Sequence, residues 1–274
     1  MFMIRSKALY IFIIFIAVLI SGCSEYNKVL KSSDIEYKYN KTMEYYNEGE
    51  YYKAYPLIEE LIAFYRGTDR AEKLYYIYAY SDYYLEDYLL ASHRFDKFVE
   101  TFPRSDYAKE CQYMAAYCQY KMSPNYSLDQ DPTRKAIDKL QLYINDYPKS
   151  KRADTCTQLI TELETKLEYK RYNAAKQYLK MEDYRAAYTE FDNLLSNFPD
   201  TKYREEAYFL IFKAKYKLAV NSIESKKEER IDAALKAYIT FVDRFPESKD
   251  IVEAEKWYSE LQELKRETNV ANKS

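Results

Sequence analysis

Chemistry that needs a nucleophile or a soft metal ligand has little to draw on in this chain: a single histidine, His93, and four cysteines, Cys23, Cys111, Cys118 and Cys156. His93 has no second histidine to work with and stands between Ser92 and Arg94, off the apolar face of its segment, an exposed polar position. There is no GxSxG, no HExxH and no phosphate loop, and Gly22, Gly49 and Gly67 are the only glycines. Cys111 and Cys118 would lie about 10.5 Å apart along a helix, beyond disulfide reach, whereas a bridge between Cys118 and Cys156 stays open. No carboxylate pair stands out among the 44 acidic residues. The chain is expected not to be an enzyme, with no cofactor and no metal site.

Cys23 is a different case. Arg5 and Lys7 precede an unbroken apolar run from Ala8 to Ile20, too short to span a bilayer and of the length of a secretory signal. The run ends in "LISGC", which resembles the lipobox of bacterial lipoproteins, where the signal is cleaved before the cysteine and the sulfur takes lipid. Residues 1–22 are thus expected to be a signal peptide, Cys23 the lipid attachment site and 23–33 a lipidated tether, giving an anchored rather than a spanning protein. The remaining chain, about 250 residues, carries a net charge of about −4 without a sustained basic stripe, which argues against a nucleic-acid partner.

Four stretches share a pattern: "FVETFPRSDYAKEC" (98–111), "YINDYPKSKRADTC" (143–156), "LLSNFPDTKYREEA" (194–207) and "FVDRFPESKDIVEA" (241–254). Each has an aromatic, a proline, a Ser or Thr two places on, and a small residue eight places after the proline. Twelve residues before each proline stands an alanine, Ala91, Ala136, Ala187 or Ala234, and Ala54 marks a fifth copy in which Arg66 takes the proline's place. "EDYLLASHRF" and "EDYRAAYTEF" put Tyr88, Ala91 and Phe95, and Tyr184, Ala187 and Phe191, on one helical face. Proline stops the helix, and the alanine lets a neighbour approach closely. The alanines recur at intervals of 37, 45, 51 and 47 residues, the size of a helix hairpin that must stack to bury its apolar face. Cys111 and Cys156 occupy the slot held by Ala207 and Ala254, so they read as small buried residues.

Tyr, Ala, aromatic and Pro at these offsets resemble the tetratricopeptide repeat over about residues 34–264. The fold class this implies is all-α, a superhelical array of about five such hairpins, an α-solenoid. Repeats one to three are expected over 34–150, a long connecting helix and repeats four and five over 151–264, and a disordered tail over 265–274. Segments 122–133 and 221–230 read as loop insertions. Fifteen of the 34 tyrosines fall between Tyr37 and Tyr88. In the repeat register Tyr76, Tyr80 and Tyr83, with Tyr39, Met43 and Tyr46, form stripes on the face that lines the concave groove in such proteins, where aromatic side chains with polar tips suit an extended peptide.

A lipobox followed at once by five repeats that fill the chain resembles the BamD family of the outer-membrane β-barrel assembly machinery. The resemblance implies that Cys23 tethers the protein to the outer membrane on its periplasmic face. It implies that the N-terminal repeats hold unfolded outer-membrane proteins and that the C-terminal repeats dock on the barrel subunit BamA, with Trp257 and Tyr258 as anchors. Other readings are a periplasmic repeat lipoprotein that scaffolds cell-wall or division complexes, and a glycan-binding uptake lipoprotein, for which the chain lacks the length and a Trp-rich insert.

Overall fold

The computed structural model describes residues 25–271, and Cys23 lies outside the described residues. Among these residues there are helices and no strand, as the all-α reading expects. A short α1 (25–31) precedes five hairpins: α2 (Ile35–Asn47) with α3 (Tyr51–Phe64), α4 (Asp69–Tyr84) with α5 (Tyr88–Thr101), α6 (Ala108–Lys121) with α7 (Asp131–Asp146), α8 (Lys151–Lys180) with α9 (Tyr184–Asn197), and α10 (Arg204–Val220) with α11 (Glu224–Arg244). The last element is α12 (Ile251–Ala271).

Every repeated motif has a local job. Helices α5, α7, α9 and α11 each end one residue before the aromatic of the aromatic-Pro pair, and Phe102, Tyr147, Phe198 and Phe245 all leave the helical region, with ψ between 58 and 74°. A following proline imposes this, because its ring crowds a helical residue before it. The Ser or Thr two places past the proline then turns the chain: the amides of Ser105, Ser150, Thr201 and Ser248 donate to the carbonyl of the capping aromatic. Their hydroxyls accept from the backbone N–H two residues later, at Tyr107, Arg152, Tyr203 and Asp250, and so start the next helix.

The turn inside a hairpin is built differently. Gly49, Glu86 and Glu182 adopt positive φ of 78, 62 and 62° and close helices α2, α4 and α8. The next residue donates its N–H five places back, Glu50 to Tyr45, Asp87 to Asp82 and Asp183 to Tyr178, in the Schellman arrangement. Asp87 and Asp183 then cap α5 and α9 by accepting from the amides of Leu90 and Ala186.

The small residues hold the contacts between helices. Ala54, Ala91, Ala136, Ala187 and Ala234 have no exposed surface, nor do Cys111, Cys156, Ala207 and Ala254 in the second slot. Cys111, Cys118 and Cys156 are free thiols, and burial pushes Cys118 up to about 12 and Cys156 up to about 11. At such values the nucleophilic thiolate is scarce near neutral pH.

The chain divides into two compact units, one running to Pro124 with Gln130–Ile160, the other comprising Asn125–Asp129 and the residues from Thr161 on, so the boundary falls inside α8. In the first unit Asp82, almost fully buried, pairs with Arg94, whose guanidinium lies 3.5 Å from the Tyr78 ring centroid and donates to Tyr55 Oη at 2.8 Å. This ties α4 and α5 back to α3. In the second unit Lys170 donates to the carbonyls of Tyr126 and Leu128 at 3.1 and 2.8 Å, and Tyr126 packs on Tyr169.

Three segments differ from the sequence reading. Most of 221–230 is helical, because Lys227 reaches Glu224 and Lys226 reaches Glu229 one turn apart in a stretch without Gly or Pro. Much of 23–33 is no free tether: Val29 is fully buried, Tyr26 lies edge-on to Tyr45 and donates to the Lys53 carbonyl, and Glu25 pairs with Lys41. The tail expected from 265 stays helical to Ala271, with Thr268 buried and Lys265 paired with Asp232. Residues 272–274 and the signal segment 1–22 lie outside the described residues.

A Cβ added to Gly49 would meet nothing within 4 Å, so its φ of 78° is the only obstacle to a side chain. Gly49→Ala is therefore expected to lower unfolding stability by about 1 kcal/mol, and Glu86→Gly and Glu182→Gly each to raise it by about 0.5 kcal/mol, the relief of the left-handed strain exceeding glycine's added chain entropy. Urea unfolding of the three variants checks both signs.

Candidate functional site

The tyrosine stripes lie in the first unit, on the first helices of its hairpins. Tyr76 and Tyr80 have ring centroids 4.7 Å apart, and Tyr80 lies 6.3 Å from Tyr83. Tyr76 also contacts Tyr107 at 4.5 Å, and Tyr80 stands edge-on to the buried Phe95 at 5.0 Å. Tyr46 joins this set through two intermediates: it packs on Tyr51, Tyr51 stacks on Tyr84 at 4.7 Å, and Tyr84 lies 5.9 Å from Tyr80. Met43 fills the edge of the N-terminal core between α2 and its neighbours. Tyr39 belongs to a separate cluster, edge-on to Tyr65 and 4.7 Å beneath the Arg70 guanidinium, which pairs with Glu36.

A third stripe completes the pattern. Tyr113, Tyr117 and Tyr120 on α6 repeat the spacing of Tyr76, Tyr80 and Tyr83 at an offset of 37 residues, and Tyr39, Met43 and Tyr46 precede them by the same offset. Tyr117 stacks on both Tyr113 and Tyr120 and lies 6.4 Å from Tyr83, which carries the ring contacts from α4 to α6. The α6 stripe was legible in the sequence as this offset. Tyr51, Tyr84 and Tyr107 were not, since they sit at helix ends and on the turn before α6, where periodicity carries no information.

Most of these phenols are half-buried, Tyr113 is buried and Tyr84 and Tyr107 are exposed, and their surroundings tune them. Tyr80 donates to Glu110 at 2.9 Å, and Arg152 donates to the same Glu110 oxygen at 2.7 Å while lying 4.0 Å over the Tyr113 ring. Desolvation holds the Tyr80 and Tyr46 hydroxyls well above the ordinary phenol range, so they stay neutral. Each is an apolar ring with a fixed polar tip. The surface offers ring faces and hydrogen-bonding edges, with one carboxylate and one guanidinium at its α6 side.

Because Tyr76 and Tyr80 also rest on Phe98 and Phe95, they share in the core. Their removal is expected to cost stability, contrary to a purely surface role.

The second unit treats its equivalent surface otherwise. Trp257 lies three residues past the small Ala254, the register position of Met114, Leu159 and Leu210, all buried or nearly so. It is 8% exposed, stacked on Phe209 at 5.6 Å and on Tyr216 at 5.2 Å, with Lys213 over its ring. Trp257 is thus the core residue that fastens α12 to α10, and it does not project as a docking anchor. Tyr258 is half-buried and stacks on Tyr238 at 4.3 Å, its hydroxyl accepting from Gln262. His93 is exposed, and among the described residues no cluster of three or more His, Cys, Asp or Glu side chains is placed to hold a metal ion.

Five successive hairpins, the last four closed by aromatic-Pro stops, with tyrosine stripes on the first helices of the first three, define a tetratricopeptide-type repeat protein. A family model described as "YfiO: Outer membrane lipoprotein" matches residues 32–231, and the chain belongs to this family. It is 24% identical over 228 residues to the outer membrane protein assembly factor BamD of Haemophilus influenzae, covering 80% of this chain and 87% of that protein. It is 23% identical over 239 residues to the BamD of Pasteurella multocida, covering 84% and 92%.

Tyr80→Ala and Trp257→Ala are each expected to destabilise the chain by about 3 kcal/mol, as for truncation of a large packed aromatic. Tyr84→Ala, at a residue 48% exposed, should cost under about 1 kcal/mol. Calorimetric melting of the three variants distinguishes core aromatics from the half-exposed Tyr84.

Proposed function

We propose that the chain is a non-enzymatic, lipid-anchored subunit of an outer-membrane protein assembly machinery, held through Cys23 on the periplasmic face of the outer membrane. In this reading the first unit holds segments of unfolded outer-membrane proteins and the C-terminal repeats dock on a barrel subunit of the BamA type. The observation that carries the reading is the set of three parallel stripes on α2, α4 and α6, aromatic at eight of nine positions and linked by ring contacts from Tyr46 to Tyr120. An extended chain passing over them meets ring faces at each hairpin, so affinity comes from apolar contact and does not require one sequence. The names of the two relatives and the family description support the same reading.

Tagged protein extracted from outer membranes in mild detergent is expected to bring down a large barrel protein with tandem periplasmic domains in near-equal amount. Cys23→Ala should lose the membrane fraction and keep the fold. Recovery of cell-wall enzymes or an uptake barrel in its place would replace the assembly reading with a scaffold or uptake role. For the tyrosine surface, Tyr83→Ser with Tyr117→Ser is expected to raise the Kd for a labelled peptide ending in an aromatic residue by about tenfold. The peptide assay by anisotropy should show no matching change with a peptide lacking aromatics.

A further inference from the structure

The second unit carries a groove of its own. Helix α10 forms its floor between α9 and α11, and Ala233 and Ala237 on α11 leave it open. Two recesses of 260 and 160 Å³ share Lys215 and Ala233 and so form one continuous depression. Arg185, Lys215, Arg230 and Lys236 line it, and at one end the Tyr208 ring lies 5.8 Å from the Arg204 guanidinium and 5.1 Å from that of Arg244.

Among the described residues none of these six cations makes a salt bridge. The salt bridges of this unit among the described residues use other cations: Arg171 with Glu190, Lys176 with Glu206, Lys226 with Glu229, Lys227 with Glu224 and Lys265 with Asp232. Arg204 and Arg230 donate to neutral oxygens, the Pro199 carbonyl and the Ser222 hydroxyl, and Lys215 rests 5.0 Å over the Tyr188 ring. Of the two carboxylates in the lining, Glu229 is already paired with Lys226, which leaves Asp192 facing Lys215. In a chain whose formal net charge is −2, this is a concentrated positive strip.

The strip follows α10 from Arg204 to beyond Lys215, about 20 Å at 1.5 Å per residue. We propose that this groove binds an acidic, extended polypeptide segment of a partner protein, about six residues long at the rise of an extended chain. Its Asp and Glu side chains meet the cations on the two walls, and small or aliphatic residues lie over Ala237, Ile211 and Leu218 on the floor. The inference deepens the docking part of the proposed function by naming the chemistry of the docked segment. It is independent of the lipid anchor and of the tyrosine stripes, which lie in the other unit.

The test uses the mature chain with Cys23→Ser and a fluorescein-labelled peptide of alternating Glu and Val, read by anisotropy. Binding is expected to weaken steeply between about 50 and 300 mM salt, and Lys215→Glu with Lys236→Glu to weaken it at least about tenfold with an unchanged melting curve. Arg185→Glu with Lys236→Glu, at two exposed positions, provides the same reading should Lys215 prove necessary for folding. A charge-matched pair away from the groove, Lys180→Glu with Lys256→Glu, should leave affinity within about twofold. Equal binding by the groove variants, or an equal loss in the distant pair, overturns the proposal. So does tighter, groove-dependent binding of phosphatidylglycerol vesicles or of a single-stranded oligonucleotide. Because the probe is a synthetic peptide, its failure would leave the pull-down result standing, and failure of the pull-down would leave the groove's chemistry standing.

Discussion

A helix hairpin of this size has an apolar stripe on each side and can cover only one of them by itself. Everything else in the molecule answers that constraint. Ala54, Ala91, Ala136, Ala187 and Ala234 are fully buried because another helix must come close at that point, and a larger side chain would hold it off. The close approach in turn demands that every helix end at a set place. Two kinds of stop alternate, a left-handed residue inside each of three hairpins and an aromatic-Pro pair after the last four. The first reverses the chain within a repeat and the second hands it to the next repeat, with the Ser or Thr hydroxyl already bonded into the new helix.

The parts of this logic that appear as residue types were legible in the sequence. Proline and alanine at fixed offsets gave the hairpin ends and the contact points, and the small slot correctly placed Cys111 and Cys156 in the core. The parts that depend on backbone conformation or on a partner helix were not. Glu86 and Glu182 look like ordinary helix-start acids, yet they hold the position that Gly49 holds, because the turn needs a left-handed residue and tolerates the strain of a non-glycine one. The same applies at the two ends. Val29 with Leu30, and Thr268, stand in mostly polar segments, and only the presence of a neighbouring surface turns these segments from expected linker and tail into packed helix.

Trp257 is the most instructive difference. A lone tryptophan near the end of a binding protein suggests an exposed anchor, whereas counting from the preceding proline places it in the slot of Met114, Leu159 and Leu210. The repeat register therefore outranks residue type as a guide to burial here. The same count applied to α6 finds Tyr113, Tyr117 and Tyr120 and extends the aromatic surface by one hairpin.

The two units use one architecture to opposite chemical ends. In the first, the stripe positions of successive hairpins are mostly tyrosines whose rings touch one another, and most charges that accompany them are matched, Glu110 by Arg152, Asp82 by Arg94 and Glu36 by Arg70, with Lys73 lying over the Tyr76 and Tyr107 rings. Such a surface has little long-range field and holds what it touches by contact area. In the second, the α10 stripe residues Phe209, Lys213 and Tyr216 are occupied by the molecule's own Trp257, while cations that make no salt bridge among the described residues gather along the groove between α9 and α11. A surface of that kind acts at a distance and selects by charge. In the function proposed above, a chain that holds variable, unfolded segments while docked on one partner needs both properties, and they conflict if placed on the same face, because an open field of cations over the tyrosines would bias which segments bind. Keeping the neutral aromatic surface in one unit and the charged groove in the other resolves the conflict within a single repeat design.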